Sequence, residues 1–130
     1  MALHLLRILA GIGAVAHVIF AFIETFRWEP ATVRRIAPSW IEGFNDISLA
    51  EAHIAWAKPL AFNVGVYNLL LGIGLAWTAV GDATIVSSLA TFFGIWLLGA
   101  AAAALYTRVV KACVLQGLLG LLLLLVSLWA

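Results

Sequence analysis

The sequence predicts an all-α fold, an integral membrane four-helix bundle with antiparallel neighbours. Three observations lead there. Of 130 residues, 65% are hydrophobic and only 10% charged, with mean hydropathy +1.14, whereas soluble domains run near half apolar and about a quarter charged. A water-soluble chain of this size has too much surface for its volume to hide that much apolar side chain. The apolar residues also fall into four runs, each close to the ~20 residues a helix needs to cross a bilayer.

The first span runs from about Leu5 to Phe26. Its opening, MALHLLRILAGIGAVAHVIF, has the outline of a signal peptide, with Arg7 and the small residues Ala14, Val15 and Ala16. The apolar run continues to Ile23, however, longer than a usual signal core, so a retained helix is the better reading. The second span runs from about Ile54 to Val80, with Pro59 in its early turns, where a missing N–H is easiest to tolerate. Gly81 and Asp82 mark a turn, and the third span covers about Ala83 to Tyr106. The fourth covers about Val109 to Trp129. Residues 1–130 therefore read as a single transmembrane domain.

The short connections between spans two and three, and three and four, call for antiparallel neighbours. Between spans one and two lies a longer segment, residues 27–53, holding Pro30, Pro38, Gly43, Trp28 and Trp40. Its mixture of aliphatic, aromatic and charged residues predicts an interfacial, lid-like loop. Ser48, three residues ahead of Glu51, predicts a capping box opening the second helix. Arg27, Arg34, Arg35, Lys58, Arg108 and Lys111 all lie toward the side shared by the first and third loops, and only Arg7 toward the other. That bias predicts both loops in the cytoplasm and both termini on the non-cytoplasmic side. Trp28, Trp56, Trp77 and Trp129 near span ends fit an aromatic belt.

Polar groups in hydrocarbon are costly, so those inside spans face a partner, a cavity or a site. Here they are His17 and Glu24 in the first span, Asn63, Tyr67 and Asn68 in the second, and Gln116 in the fourth. With span ends near Trp28, Ile54 and Arg108, a rise of ~1.5 Å per residue puts Glu24 ~6 Å deep, Gln116 ~12 Å and Asn63 ~14 Å. On the same scale His17 lies ~16 Å deep, and Tyr67 and Asn68 ~20 Å. All six sit between the cytoplasmic surface and just past the midplane, leaving the outer half almost purely apolar. His17 and Glu24, two turns apart, share a stripe, and Asn63 stacks on Tyr67 one turn later. Asn68 shares another face with Gly65 and Gly72, a small-residue pattern suited to close helix packing. The expectation is that Asn63, Tyr67 and Gln116 line a cavity, while Asn68, Gly65 and Gly72 tie helices together.

Glu24, Phe26 and Trp28 read as E-x-F-x-W closing the first helix. Asn63, Gly65, Tyr67 and Asn68 read as N-x-G-x-Y-N, and Gln116-Gly117 as Q-G. In these motifs, their order and the number of spans, nearly the whole chain resembles domain of unknown function 1304, a family of small bacterial membrane proteins. Val64 departs from the family pattern, in which a glutamine usually follows the first asparagine. The resemblance implies a multi-pass protein of the bacterial inner membrane and the importance of these positions. It implies no activity.

On the residues alone, three functions compete. The first is a small-molecule site, in which His17 and Glu24 act as acid and base while Asn63, Tyr67 and Gln116 fix a lipophilic molecule that is bound, isomerised or hydrated. The second is a small transporter subunit using Glu24, though that residue lies near its helix end and the charge bias opposes dual topology. The third is an accessory subunit of a larger membrane complex, or a homo-oligomer, with the Gly- and Ala-rich stretch from Gly94 to Ala104 as the contact face. No cofactor is expected: His17 has no second axial histidine at its depth, since His4 and His53 lie near span ends. No metal is expected either, as His17 and Glu24 lack a third strong ligand, and the lone Cys113 excludes a CxxC pair. Net charge of +1 gives no nucleic-acid surface, and the expected surroundings are lipid.

Overall fold

The computed structural model describes residues 1–40 and 51–130, the side chains at 38 and 51–53 excepted. Their elements are α1 (Ala2–Phe26), α2 (Pro30–Ile36) with a following 3-10 turn (Ala37–Ser39), α3 (Glu51–Val80), α4 (Ala83–Tyr106) and α5 (Val110–Ser127), with no strand among the described residues. Four helices, all but α2, are long and apolar enough to cross a membrane. They match the expected spans to within a few residues. The expected capping box rests on Ser48, which lies outside the described residues, as does the His53 side chain.

The helix ends follow from local chemistry. Pro59 lies inside α3, more than two turns from Glu51, where its ring leaves the Ala55 carbonyl without an amide partner. Glu29 caps α2, Pro30 supplies the pre-set first position, and Arg34 and Arg35 fall in the last turn, where cations suit the helix dipole. At the far end of α3, Gly81 N–H closes on the Trp77 carbonyl at 2.7 Å. The Arg7 guanidinium donates to the Gly81 carbonyl, also at 2.7 Å, so a cation from α1 satisfies the carbonyl just past the end of α3. Between α4 and α5, Val109 N–H reaches Ala104 O at 2.8 Å and Arg108 N–H reaches Leu105 O at 3.1 Å. That is a Schellman ending, with Arg108 at φ 59° in the left-handed position that glycine usually takes.

Two tight helix pairs build the bundle. α1 packs along α3 and α4 along α5, and α1 joins the pairs through α5 and α4. With no water to drive helices together in lipid, such pairing depends on backbones approaching closely over small residues. Ala61, Gly65 and Gly72 of α3 are buried, at the spacing of a single face. A Cβ on Gly65 would stand 3.1 Å from Ala21 O, and one on Gly72 would stand 3.3 Å from Ala14 O. Gly94 and Gly120 cross in the same way, a Cβ on Gly120 lying 2.8 Å from Gly94 O.

Short turns alone predict α3 and α4 as close neighbours, yet their contact is slight. The small-residue stripe of α3 is taken up by α1, so α3 leaves the Gly81 turn leaning away from α4. The core gathers where they still meet, around Leu6, Ala10, Leu75, Val86, Leu97 and Leu123. This is the Arg7 end of the bundle, the half the sequence leaves apolar. Toward the other end α3 and α4 separate, and the space between them is the site.

Candidate functional site

A cavity of about 690 Å³ occupies that space, and every helix contributes to its wall. α1 presents Ile19, Phe20, Ile23 and Glu24; α3 presents Val64, Tyr67, Asn68 and Leu71. Small residues make the room on the opposite side: Ala100 and Ala104 of α4 and Ala112 of α5, with Trp96, Thr107 and Gln116 beside them. The segment after α1 forms the cover through Trp28, Thr32, Val33, Ile36 and Trp40. It is fastened at two points. Trp28 Nε1 donates to the Ile54 carbonyl at 3.2 Å and Trp40 stands edge-on to Phe20 at 5.3 Å between centroids, while within the segment Thr32 Oγ1 donates to Glu29 Oε1 at 3.2 Å.

The central polar contact joins two helices. Asn68 Nδ2 donates to Glu24 Oε2 at 2.6 Å. It forms because Asn68 continues the α3 stripe of Ala61, Gly65 and Gly72, the face held close to α1, one turn from the Gly65 crossing. A carboxyl oxygen bonded at this length is a firmly held acceptor. Oε1 has no protein partner among the described residues, and Glu24 is part of the cavity wall. The ion pair in this region belongs to other residues: Arg27 Nη2 meets Glu29 Oε1 at 3.0 Å, with both side chains more than half exposed.

The expected site residues divide. Glu24, Tyr67 and Gln116 line the cavity, and so does Asn68, which the sequence suggested for packing alone. Asn63 does not join them; it is exposed on α3 and outside the wall. At about 100° per residue Asn63 lies roughly opposite Ala61, hence away from α1, and about 40° beyond Tyr67 on the far side from Asn68. Asn63 and Tyr67 do lie on one side of α3, but the cavity turns toward the Val64 and Leu71 side of Tyr67.

His17 and Glu24 share a stripe without sharing a cavity. His17 is 2% exposed, and its Nδ1–H donates to the Gly13 carbonyl at 2.8 Å, one turn back on the same helix. It lines a smaller space of about 220 Å³ between α1 and α5, with Gln116 also on that wall. Phe20 stands between, edge-on to His17 at 6.2 Å and present in both walls. The structure therefore does not assemble the acid–base pair that the spacing suggested. Residues the sequence reading passed over include Trp96, Trp40 and Thr32. Trp96 had a signal: a tryptophan in mid-span, two residues from Gly94, is out of place for an interfacial belt.

Fold and site together define a class: an all-helical bundle with four helices able to cross a membrane, packed at one end and open at the other on a cavity walled by a hydrogen-bonded carboxyl. Within that class the assignment is direct. Residues 11–128 match the family described as Protein of unknown function (DUF1304), and the chain belongs to it. No curated protein and no solved structure matches the chain.

Proposed function

We propose that this is a multi-pass protein of the bacterial inner membrane that binds a lipophilic small molecule in the five-helix cavity. The observation carrying the reading is the cavity itself. At about 690 Å³ it falls in the size range of ligand sites, and it combines apolar walls with a few polar groups: Glu24, Asn68, Gln116, Thr32 and Tyr67. Arg27, Arg34, Arg35, Lys58, Arg108 and Lys111 cluster toward the cavity end, which by the positive-inside bias faces the cytoplasm.

Access is lateral. α3 and α4 barely touch alongside the cavity, and Tyr67 (61% exposed) and Trp96 (55% exposed) stand on the two sides of that opening. A molecule dissolved in the bilayer enters between them, while α2 and Trp40 close the route toward water. Proton transfer, if the bound molecule is turned over, falls to Glu24, because Asn68 holds one carboxyl oxygen and leaves the other toward the ligand.

The test is a neutral fluorescent lipophile, N-phenyl-1-naphthylamine, titrated into the protein in lipid nanodiscs against empty discs. Saturable binding at one site is expected, with loss in Ala100→Trp, which fills the cavity from the α4 wall. Equal signals from protein and empty discs, or unchanged binding in Ala100→Trp, would remove the cavity from the function.

A further inference from the structure

The charge and ring content of the wall select among lipophiles. Among the described residues, Glu24 is the one ionisable side chain on the wall besides the Tyr67 phenol, and no lysine, arginine or histidine lines the cavity. Around it stand five aromatic residues, Phe20, Trp28, Trp40, Tyr67 and Trp96. Ring faces carry negative quadrupole density and attract cations, most strongly in tryptophan, and the attraction grows where water is excluded. The Trp40 ring already holds one, with Lys111 Nζ 5.9 Å from its centroid. Among the described residues the wall offers an anion a carboxyl and five rings, with no lining cation to compensate.

We propose that the preferred occupant is an amphipathic cation, an amine or quaternary ammonium with an apolar body, whose charge sits at Glu24 Oε1 and whose body fills the space beneath Trp40. Glu24 Oε2, fixed by Asn68 at 2.6 Å, keeps the carboxyl oriented while Oε1 receives the ligand. A protonated tertiary amine donates a hydrogen bond there, and a quaternary ammonium relies on the ion pair and the rings alone. Lys111, outside the wall yet over Trp40, opposes the ligand by like charge and competes for that ring.

This inference rests on the ligand-binding reading, and the two are separated by a matched pair of probes. Tetraphenylphosphonium and tetraphenylborate have nearly the same size and apolar surface with opposite charge. Each is titrated calorimetrically into protein in nanodiscs, referenced to empty discs, beside the neutral naphthylamine. The phosphonium should bind at least about tenfold tighter than the borate. Glu24→Gln should weaken the phosphonium by about tenfold or more, well beyond any change for the neutral probe, with circular dichroism reporting folding. Trp40→Leu should cost about two- to fivefold, and Lys111→Met should tighten binding. Equal affinity for both ions, or preference for the borate, with the neutral probe still bound, overturns the cation assignment and leaves the cavity reading standing. Failure of all three probes overturns both.

Discussion

Replacing Gly65 with alanine ties helix packing to the site most directly. The added Cβ would collide with the Thr25 hydroxyl, which can turn aside, and would stand 3.1 Å from both Ala21 O and Thr25 N, backbone atoms of α1 that cannot. A relaxed non-bonded contact needs about 3.5 Å, so α1 and α3 must separate locally by ~0.4 Å. Overpacking of this kind costs about 1–3 kcal/mol. Alanine also returns up to ~1 kcal/mol of helix propensity, so the net loss must be read against a control. Gly99 provides it, since a Cβ there meets nothing within 4 Å. Gly65→Ala should therefore be about 1–3 kcal/mol less stable than Gly99→Ala in mixed-micelle unfolding followed by circular dichroism. The Asn68–Glu24 bond, starting at 2.6 Å, survives a 0.4 Å (approximate) separation as an ordinary hydrogen bond, whereas Gly65→Leu pushes the helices too far for it. Gly65→Ala should thus keep probe binding and Gly65→Leu should lose it. Equal stability of Gly65→Ala and Gly99→Ala would refute the close α1–α3 crossing.

Three further outcomes are expected. In a double-mutant cycle of Glu24→Leu and Asn68→Leu, unfolding should reveal a coupling of about 0.5–1.7 kcal/mol, the range of interhelical hydrogen bonds in bilayers; strict additivity would contradict the contact. Arg108→Gly should raise stability by about 1 kcal/mol, by relieving the left-handed strain at the α4–α5 turn, and a loss of stability would mean that the arginine side chain does more there than the backbone suffers. Asn63→Leu should leave probe affinity unchanged, because Asn63 lies outside the cavity wall; a tenfold (approximate) loss in the same titration would return it to the site.

The helical spans were legible because hydrocarbon imposes a length, and a run such as Ala83–Tyr106 meets it almost unaided. The cavity's depth was legible too: Glu24, Tyr67, Asn68 and Gln116 all line it. What spacing could not supply was the direction of each face. Asn63 and Tyr67 stack four residues apart whichever way α3 turns, and only the docking of Gly65 and Gly72 against α1 decides that rotation. A better signal was present in Ala61, Gly65, Asn68 and Gly72, where one asparagine interrupts a stripe of small residues and so must find its partner on the opposing helix. His17 and Glu24 show the converse limit, since a shared stripe says nothing of the ring of Phe20 between them. The pairing of α1 with α3 rather than α3 with α4 was hidden because chain connection and helix packing compete, and here small residues prevail. The cover built from Trp28, Thr32 and Trp40 depends on a seven-residue helix, too short to leave a periodic mark.

The account stands on an occupied cavity, and its most direct test is to identify what leaves the membrane with the protein. The wild-type chain and Ala100→Trp are to be extracted from native membranes under identical mild conditions, and their bound small molecules compared by native mass spectrometry. One amphiphile retained at unit stoichiometry by the wild type and absent from Ala100→Trp is the predicted result. Identical adducts on both proteins, or none on either, would contradict it.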